Sequence, residues 1–158
     1  MRINIKDKKN FIEMFNTLYK NNNINNINGV SIDSRKIIKN DIYIPFKGNN
    51  FDGHDFIDES LNAGASICFS ENNINNKKII KTESVLSEII KLCKEWKKIS
   101  HTKVIAITGS NGKTTTKDLL YHILKNQFPC SRTIENFNSS IGMPIAFLST
   151  CIKDKYSI

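Results

Sequence analysis

The order of hydrophobic and polar positions along the 158-residue chain alternates between helical and strand-like stretches. Apolar residues spaced three and four apart follow Asp7, a residue type that caps helix N-termini, and predict a first helix. Its apolar positions are Phe11, Ile12, Met14, Phe15, Leu18 and Tyr19. A second such pattern, which predicts a helix ending near Lys98, consists of Val85, Leu86, Ile89, Ile90, Cys93 and Trp96.

Short apolar runs between these two helices predict β-strands. The strand candidates are residues 29–32, 41–46, 65–69 and 78–81. Residues 54–63 have a helical pattern, and Gly64 follows them as the residue type favoured just past a helix end. Because strands and helices alternate, we expect an α/β fold with a small amino-terminal domain over residues 1–100.

A second group of elements follows residues 100–102, which we interpret as a hinge between domains. The apolar run 104–107 predicts a strand, and the next predicted helix has Leu119, Leu120, Ile123 and Leu124 on one side. A short helix near Pro144 and a strand-like tail at 156–158 complete the pattern. An α/β nucleotide-binding domain needs more parallel strands than this. We therefore expect residues 101–158 to be the incomplete start of such a domain, and the chain to be an inactive amino-terminal fragment.

The most specific chemical signal is the loop between the predicted strand 104–107 and the helix that follows it. Gly109 and Gly112 allow close backbone approach to phosphate oxygens, and a helix N-terminus favours anionic charge. Lys113 would be the catalytic residue, reaching the β- and γ-phosphates of ATP, and the Thr114 hydroxyl would bind Mg²⁺. The residues predicted to contact the nucleotide are Thr108, Gly109, Ser110, Asn111, Gly112, Lys113, Thr114 and Thr115.

This motif is the short G-x-x-G-K-T form of the phosphate loop. Ile107 occupies the position at which the longer form has its first glycine. The alternative interpretation is a Gly-Asn turn followed by a threonine-capped helix. The strand pattern before the loop and the helix pattern after it favour the phosphate loop.

Composition indicates which partners and which cellular compartment to expect. The net charge is +8, but the 20 lysines are scattered and outnumber the 3 arginines, so we interpret the charge as a solvated surface and expect no nucleic-acid partner. The four cysteines lack metal-ligand spacing and fit buried side chains in a reducing compartment. Residues 1–7 lack the apolar core of a signal peptide. We expect a cytoplasmic protein without membrane insertion.

The nucleotide loop and three other segments together resemble the Mur ligases, the ATP-dependent enzymes that add amino acids to the peptidoglycan precursor. The segments are residues 33–35, which read D-S-R, the K-G-N-N-F-D-G-H-D-F-I run at 47–57, and the N-F-N-S-S-I-G-M-P run at 136–144. Ser139 stands where the family often has a second asparagine. Lys117 and the 136–144 segment resemble the branch that adds D-alanyl-D-alanine to UDP-N-acetylmuramoyl-tripeptide.

The resemblance implies ATP and Mg²⁺ as cofactors, these two substrates as partners, and a monomer. It also implies that residues 1–100 bind the UDP-muramoyl peptide, with substrate contacts from Ser31, Ser34, Arg35, Lys47, Asn50, Asn136 and Asn138. Arg35 is assigned to the diphosphate because a guanidinium binds phosphate oxygens in a bidentate way.

Each substrate contact has a structural alternative. Asp33 and Ser34 fit a turn after a strand, with Arg35 as a surface charge. Lys47 to His54 fits a Gly-Asn turn in which Asp52 caps the next helix, and nothing in the sequence marks His54 as a metal ligand.

Two other functions remain open. Another Mur-type or folylpolyglutamate-type ligase would share the phosphate loop. A non-catalytic nucleotide-binding module would bind the same ligands without turnover.

Overall fold

The computed structural model describes residues 1–48, 50–133 and 139–158, and it has a mixed α/β fold as predicted. The helices are α1 (Lys8–Leu18), α2 (Ile57–Asn62), α3 (Val85–Ser100), α4 (Lys113–Leu124) and α5 (Gly142–Phe147). The strands are β1 (Arg2–Asn4), β2 (Gly29–Ser31), β3 (Ile42–Tyr43), β4 (Ile67–Ser70), β5 (Ile79–Lys81), β6 (Lys103–Val104), β7 (Cys130–Ser131) and β8 (Tyr156–Ser157).

The first sheet has the strand order β1-β2-β3-β4-β5. Strands β2 to β5 are parallel to their neighbours, and β1 pairs antiparallel with β2. The central strands are buried along their whole length, because helices and loops cover both faces of a parallel sheet. These four parallel strands are the ones that the sequence predicts. Each is shorter than predicted, and β4 ends one residue later than predicted, at Ser70.

Strand β1 depends on Gly29, which pairs with it in β2. A Cβ atom at Gly29 would lie 2.1 Å from the carbonyl oxygen of Ile3, so a side chain there would push β1 away. Arg2 fixes the strand from its other end, because its Nε and Nη2 donate to the two carboxylate oxygens of Asp41 at 2.6 and 2.9 Å. Asp41 is fully buried and also accepts the backbone N–H of Ile38.

Helices α1 and α3 form the core with one face of this sheet. Phe11 of α1 and Trp96 of α3 are both fully buried, and their ring centroids are 5.7 Å apart. Phe15 and Tyr19 extend this aromatic packing to Phe69 of β4. The predicted apolar stripes are therefore confirmed except at Ile90 of α3, which is exposed, whereas Leu92, which the predicted pattern omitted, is fully buried.

The start of α1 differs from the prediction in one respect. Asp7 occupies the cap position, but its side chain makes no cap hydrogen bond. Its carboxylate accepts instead from the side-chain amide of Asn10 at 2.8 Å and from the distant backbone N–H of Ile152 at 3.4 Å. Contacts with the later part of the chain thus replace the local cap.

Helix α5 packs into the same core as the first sheet. Ile145 and Leu148 are fully buried there, and the Cys93 thiol of α3 donates to the carbonyl of Pro144 at 2.9 Å. The Trp96 indole N–H donates to the Thr150 hydroxyl at 3.0 Å in a buried hydrogen bond. Residues before and after position 100 therefore share one hydrophobic core.

The predicted hinge at residues 100–102 is held in place by the structure around it. Helix α3 extends to Ser100, and His101 ends it in the left-handed conformation with φ of +52°. Thr102 is buried, and its hydroxyl donates to the carbonyl of Asp154 at 2.9 Å. The division into domains 1–100 and 101–158 stays a prediction.

A second parallel sheet has the order β6-β8-β7. The predicted strand 104–107 is shorter and starts one residue earlier, at Lys103, although the Ile105 N–H still donates to the carbonyl of Ser157. The predicted apolar side of α4 is only partly covered, because Leu119 and Ile123 are 60% and 62% exposed.

Of the four cysteines, Cys68 alone is fully buried, and all four thiols are free. Burial raises the pKa of Cys68 and of the half-buried Cys93 to about 12, so both thiols are protonated at neutral pH.

Two arginine–aspartate pairs allow a matched stability test. Replacing Arg2 with methionine leaves the fully buried Asp41 carboxylate without its charged partner, and we expect the free energy of unfolding to fall by about 3 kcal/mol. Arg35→Met removes the same kind of pair at an exposed site and should leave the urea midpoint unchanged. Equal losses in the two variants, measured by urea unfolding, would contradict the assigned role of the buried pair.

Candidate functional site

The predicted phosphate loop connects β6 to α4. Gly112 is the cap residue of α4 and has a φ of +77°, in the left-handed region. A Cβ atom at Gly112 would meet nothing within 4 Å. Glycine is therefore favoured at this position by backbone conformation and not by lack of space.

Lys113 folds back over this loop. Its Nζ donates to the carbonyl oxygens of Gly109 and Ser110, at 2.5 and 3.2 Å. The Thr116 N–H already donates to the carbonyl of Gly112, while the N–H groups of the three residues before it have no intrahelical acceptor. A cation and free N–H groups therefore meet at one point, which suits a phosphate.

A cavity of about 520 Å³ lies beside the loop. Its lining consists of Val104, Ile105, Ala106, Ile107, Thr108, Gly109, Lys113, Thr114, Lys117, Thr133, Met143, Phe147, Ser157 and Ile158. Four predicted nucleotide residues are thus brought to one wall: Thr108, Gly109, Lys113 and Thr114. The other four, Ser110, Asn111, Gly112 and Thr115, are exposed in the loop and the first helical turn, outside this lining.

Lys117 is a further cation at the cavity that the sequence analysis did not assign to the site. It lies one helical turn after Lys113, and its Nζ donates to the carbonyl of Thr133 at 3.0 Å. The spacing of four residues between two lysines on one helix was the available signal. Met143 and Phe147 of α5 were also missed, because α5 reaches the cavity only through tertiary packing.

The predicted substrate residues of the first part of the chain follow β2 and β3. The carboxyl ends of parallel strands meet at one edge of a sheet, and α/β proteins bind ligands at that edge. Ser34 and Arg35 follow β2, whereas Lys47 and Asn50 follow β3. The topology therefore places these four residues along the same edge.

Ser31 has a different position from the other candidates. It is fully buried in β2, and its hydroxyl donates to the carbonyl of Asp33 at 2.9 Å and accepts the Asp33 N–H at 3.1 Å. This geometry supports a structural role for Ser31 in the turn after β2.

Arg35 combines exposure with an internal ion pair. Its side chain is 83% exposed, while its Nε and Nη2 donate to the two oxygens of Asp33 at 2.8 and 3.0 Å. This hydrogen bonding holds the pKa of the Asp33 carboxyl below its usual range. A guanidinium has five N–H donors, so Arg35 retains donors for a ligand beside this pair.

Lys47 and Asn50 belong to a tight hairpin. Lys47 pairs across it with Asp52, and the Gly48 N–H donates to the carbonyl of Phe51 at 2.9 Å. Both Lys47 and Asn50 are exposed. Asp52 caps the following 3₁₀ turn by accepting the backbone N–H of His54, which is the structural alternative that the sequence suggested. Asn136 and Asn138 lie outside the described residues.

The described residues contain neither a helix that could span a membrane nor a cluster of metal ligands. In residues 1–48, 50–133 and 139–158, no helix is long and apolar enough to cross a membrane. The same ranges contain no cluster of three or more histidine, cysteine, aspartate and glutamate side chains that could hold a metal ion.

Family models match most of the chain. Residues 26–111 match the model described as Mur ligase family, catalytic domain, and residues 107–156 match the Mur ligase middle domain. The first match covers more than half of the chain. The two matches meet at the phosphate loop, so the loop lies within the region that the family models describe.

Individual relatives agree with these models. The chain is 36% identical over 127 residues to the UDP-N-acetylmuramoyl-tripeptide–D-alanyl-D-alanine ligase of Bacillus subtilis (strain 168), which corresponds to 78% of this chain and 28% of that ligase. The crystal structure of MurF ligase from Thermotoga maritima in complex with ADP shares 35% identity, with a TM-score of 0.73 over 81% of this chain and 30% of that chain. A crystal structure of MurF from Acinetobacter baumannii shares 26% identity, with a TM-score of 0.81 over 92% of this chain and 34% of that chain. The chain thus spans about a third or less of these proteins.

The left-handed cap can be tested by substitution. Gly112→Ala should destabilise the start of α4 by about 1 kcal/mol, because alanine is disfavoured at positive φ although space is available. Gly112→Asn should cost less, since asparagine tolerates this conformation. Amide hydrogen exchange in the first turns of α4 measures the difference. Equal protection in all three proteins would mean that the cap conformation does not limit this helix.

Proposed function

The chain belongs to the Mur ligase family, and we propose that it supplies the sugar-nucleotide region and the ATP phosphate loop of a ligase that joins D-alanyl-D-alanine to UDP-N-acetylmuramoyl-tripeptide. The observation that carries this proposal is Lys113 at the start of α4, folded over the loop beside the cavity. The names of the Bacillus and Thermotoga relatives support this choice of ligase.

In the proposed reaction the terminal carboxylate of the tripeptide attacks the γ-phosphate of ATP. An acyl phosphate forms and ADP leaves. The amine of D-alanyl-D-alanine then attacks the acyl carbon, the C–O bond to phosphate breaks, and the amine loses a proton as the amide forms. No protein nucleophile takes part, so the chain contributes positioning and charge.

Lys113 would stabilise the charge that develops on the transferred phosphoryl group, together with the N-terminal N–H groups of α4. Thr114 lies at the cavity wall directly after Lys113, so its hydroxyl fits a role as protein ligand to Mg²⁺. When bound, Mg²⁺ would offset part of the phosphate charge. Thr108 to Thr115 would surround the phosphates, as the motif suggests.

The sugar nucleotide would bind at the carboxyl edge of the first sheet. Arg35 and Lys47 supply exposed positive charge there for the diphosphate, and Ser34 and Asn50 supply polar groups. In this arrangement residues 1–100 form the sugar-nucleotide domain and residues 101–158 begin the ATP domain. The proposed setting is the cytoplasm, where ATP and UDP-linked precursors occur, and the proposed state is a monomer.

Lys113→Ala tests the phosphate loop in the complete ligase that carries this segment. We expect ligation to fall by about 10²-fold, which is the scale for removing one positioned charge stabiliser, with binding of the UDP substrate preserved. Lys97→Ala, at an exposed lysine of α3, is the control and should keep full activity. Unchanged turnover in the Lys113 variant would exclude the phosphate-loop assignment.

Arg35→Ala tests the sugar-nucleotide site. Loss of a charged hydrogen bond should weaken binding of UDP-N-acetylmuramoyl-tripeptide by about 10-fold or more and leave ATP affinity unchanged. Lys36→Ala, a neighbouring exposed cation, serves as the matched control. Titration calorimetry with both ligands gives the answer. Equal weakening for ATP and the UDP substrate would argue against a separate sugar-nucleotide site, and amide formation with a different muramoyl substrate would favour another Mur-type ligase.

A further inference from the structure

The hairpin formed by residues 46–48 and 50–53 is held closed at its base by backbone contacts. The Gly53 N–H donates to the carbonyl of Phe46 at 2.9 Å, and a Cβ atom on Gly53 would lie 2.7 Å from the Phe46 nitrogen. The Tyr43 hydroxyl donates to the carbonyl of Gly53 at 2.9 Å in a buried hydrogen bond. The base is therefore fixed, whereas the Lys47 side chain is 75% exposed.

His54 follows the hairpin and is only 8% exposed. Its Nδ1 is 2.6 Å from Oδ1 of Asp52, and its Nε2 is 3.1 Å from the backbone nitrogen of Glu71. An amide N–H can only donate, so Nε2 accepts from Glu71. The neutral imidazole must then carry its proton on Nδ1 and donate it to Asp52.

The contact with Glu71 connects His54 to two other elements. Glu71 directly follows β4, and its Oε1 accepts the backbone N–H of Val85 at the start of α3 at 2.9 Å. The Nε2 edge of the imidazole is therefore anchored to the sheet and α3, and the Nδ1 edge contacts the hairpin. A buried ring between two such partners has a single orientation.

The two oxygens of the Asp52 carboxylate therefore have different partners. Oδ1 accepts both the backbone N–H and the Nδ1–H of His54, while Oδ2 lies 3.7 Å from Nζ of Lys47. The two hydrogen bonds from His54 hold the pKa of Asp52 below its usual range, so the carboxylate stays charged opposite Lys47.

We propose that His54 is a positioning residue, which orients Asp52 and through it the Lys47 ammonium that binds an anionic group of the sugar nucleotide. This inference rests on the proposed function, in which Lys47 belongs to the substrate site. A histidine that merely stabilised the fold would lower stability when either contact is lost, without a specific effect on substrate binding. The positioning role depends on the Nδ1 contact specifically.

Two amide substitutions, each of which mimics one ring nitrogen of His54, separate the contacts in the complete ligase. His54→Asn keeps a donor near Asp52 and removes the acceptor for Glu71, whereas His54→Gln keeps an acceptor near Glu71 and removes the donor to Asp52. We expect His54→Gln to raise the KM for UDP-N-acetylmuramoyl-tripeptide by about 3- to 10-fold, with kcat and the KM for ATP unchanged. His54→Asn should restore the substrate KM, even if both variants lower the melting temperature equally. Equal KM values for the two variants would overturn the proposal.

A second variant keeps the test decisive if a His54 substitution prevents folding. Asp52→Asn can retain both hydrogen bonds from His54 through its carbonyl oxygen while removing the charge opposite Lys47. It should raise the substrate KM as His54→Gln does, and the double variant should show no further increase, because both changes act on one chain of contacts. Multiplied effects in the double variant would overturn the proposal, as would a normal KM in Asp52→Asn.

The outcomes also separate this inference from the proposed function. If the unaltered ligase uses the UDP substrate and Arg35→Ala weakens its binding, but His54→Gln has a normal KM, only the positioning role fails. If the unaltered ligase does not use the UDP substrate at all, both fail. His122→Gln, at an exposed histidine of α4, controls for the histidine-to-glutamine change itself.

Discussion

The rest of the structure depends on the packing and hydrogen bonding of the buried Trp96 side chain. Its ring packs against Phe11 of α1, and its indole N–H donates to the hydroxyl of Thr150. A buried indole N–H without an acceptor is costly, so Thr150 must stay close to α3. This requirement fixes the segment that carries α5, and α5 in turn connects the first core with the cavity beside the phosphate loop. Ile145 is buried in the first core, Met143 lines the cavity, and Phe147 contacts both.

The proposed chemistry is divided between two sheet edges with different packing. The first edge lies on fully buried parallel strands and has a network of side chains behind it, in which His54 connects the hairpin to Glu71. The second edge lies on two-residue strands, and α4 has no fully buried residue in the described structure. Positions at the first edge are therefore held by side-chain contacts, whereas the phosphate loop is held mainly by its own backbone and Lys113.

The sequence predicted the elements whose signals are local. The periodicity around Phe11 and Trp96, the helix end at Gly64 with its φ of +105°, and the phosphate loop all depend on neighbouring residues. What the sequence missed depends on distant partners. Strand β1 has a single apolar residue, Ile3. It depends on the close approach that Gly29 allows and on the hydrogen bonds between Arg2 and Asp41. Asp7 fits a local cap but contacts Ile152, and Ser31 looks like a ligand contact although its hydroxyl is used inside the turn. The spacing of residues along the sequence gives no signal for these contacts.

The folded-back position of Lys113 has a consequence for ligand selection. Its ammonium already has two carbonyl oxygens as partners, those of Gly109 and Ser110. An ammonium has three N–H donors, so an incoming anion can use the remaining one and gains further contacts only in exchange for these two carbonyls. A ligand with one weakly charged oxygen gains little from this exchange, whereas a chain of phosphates offers several oxygens and more than one charge to the same lysine and helix end. Under the proposed function, this exchange would favour polyphosphates over anions with a single charge.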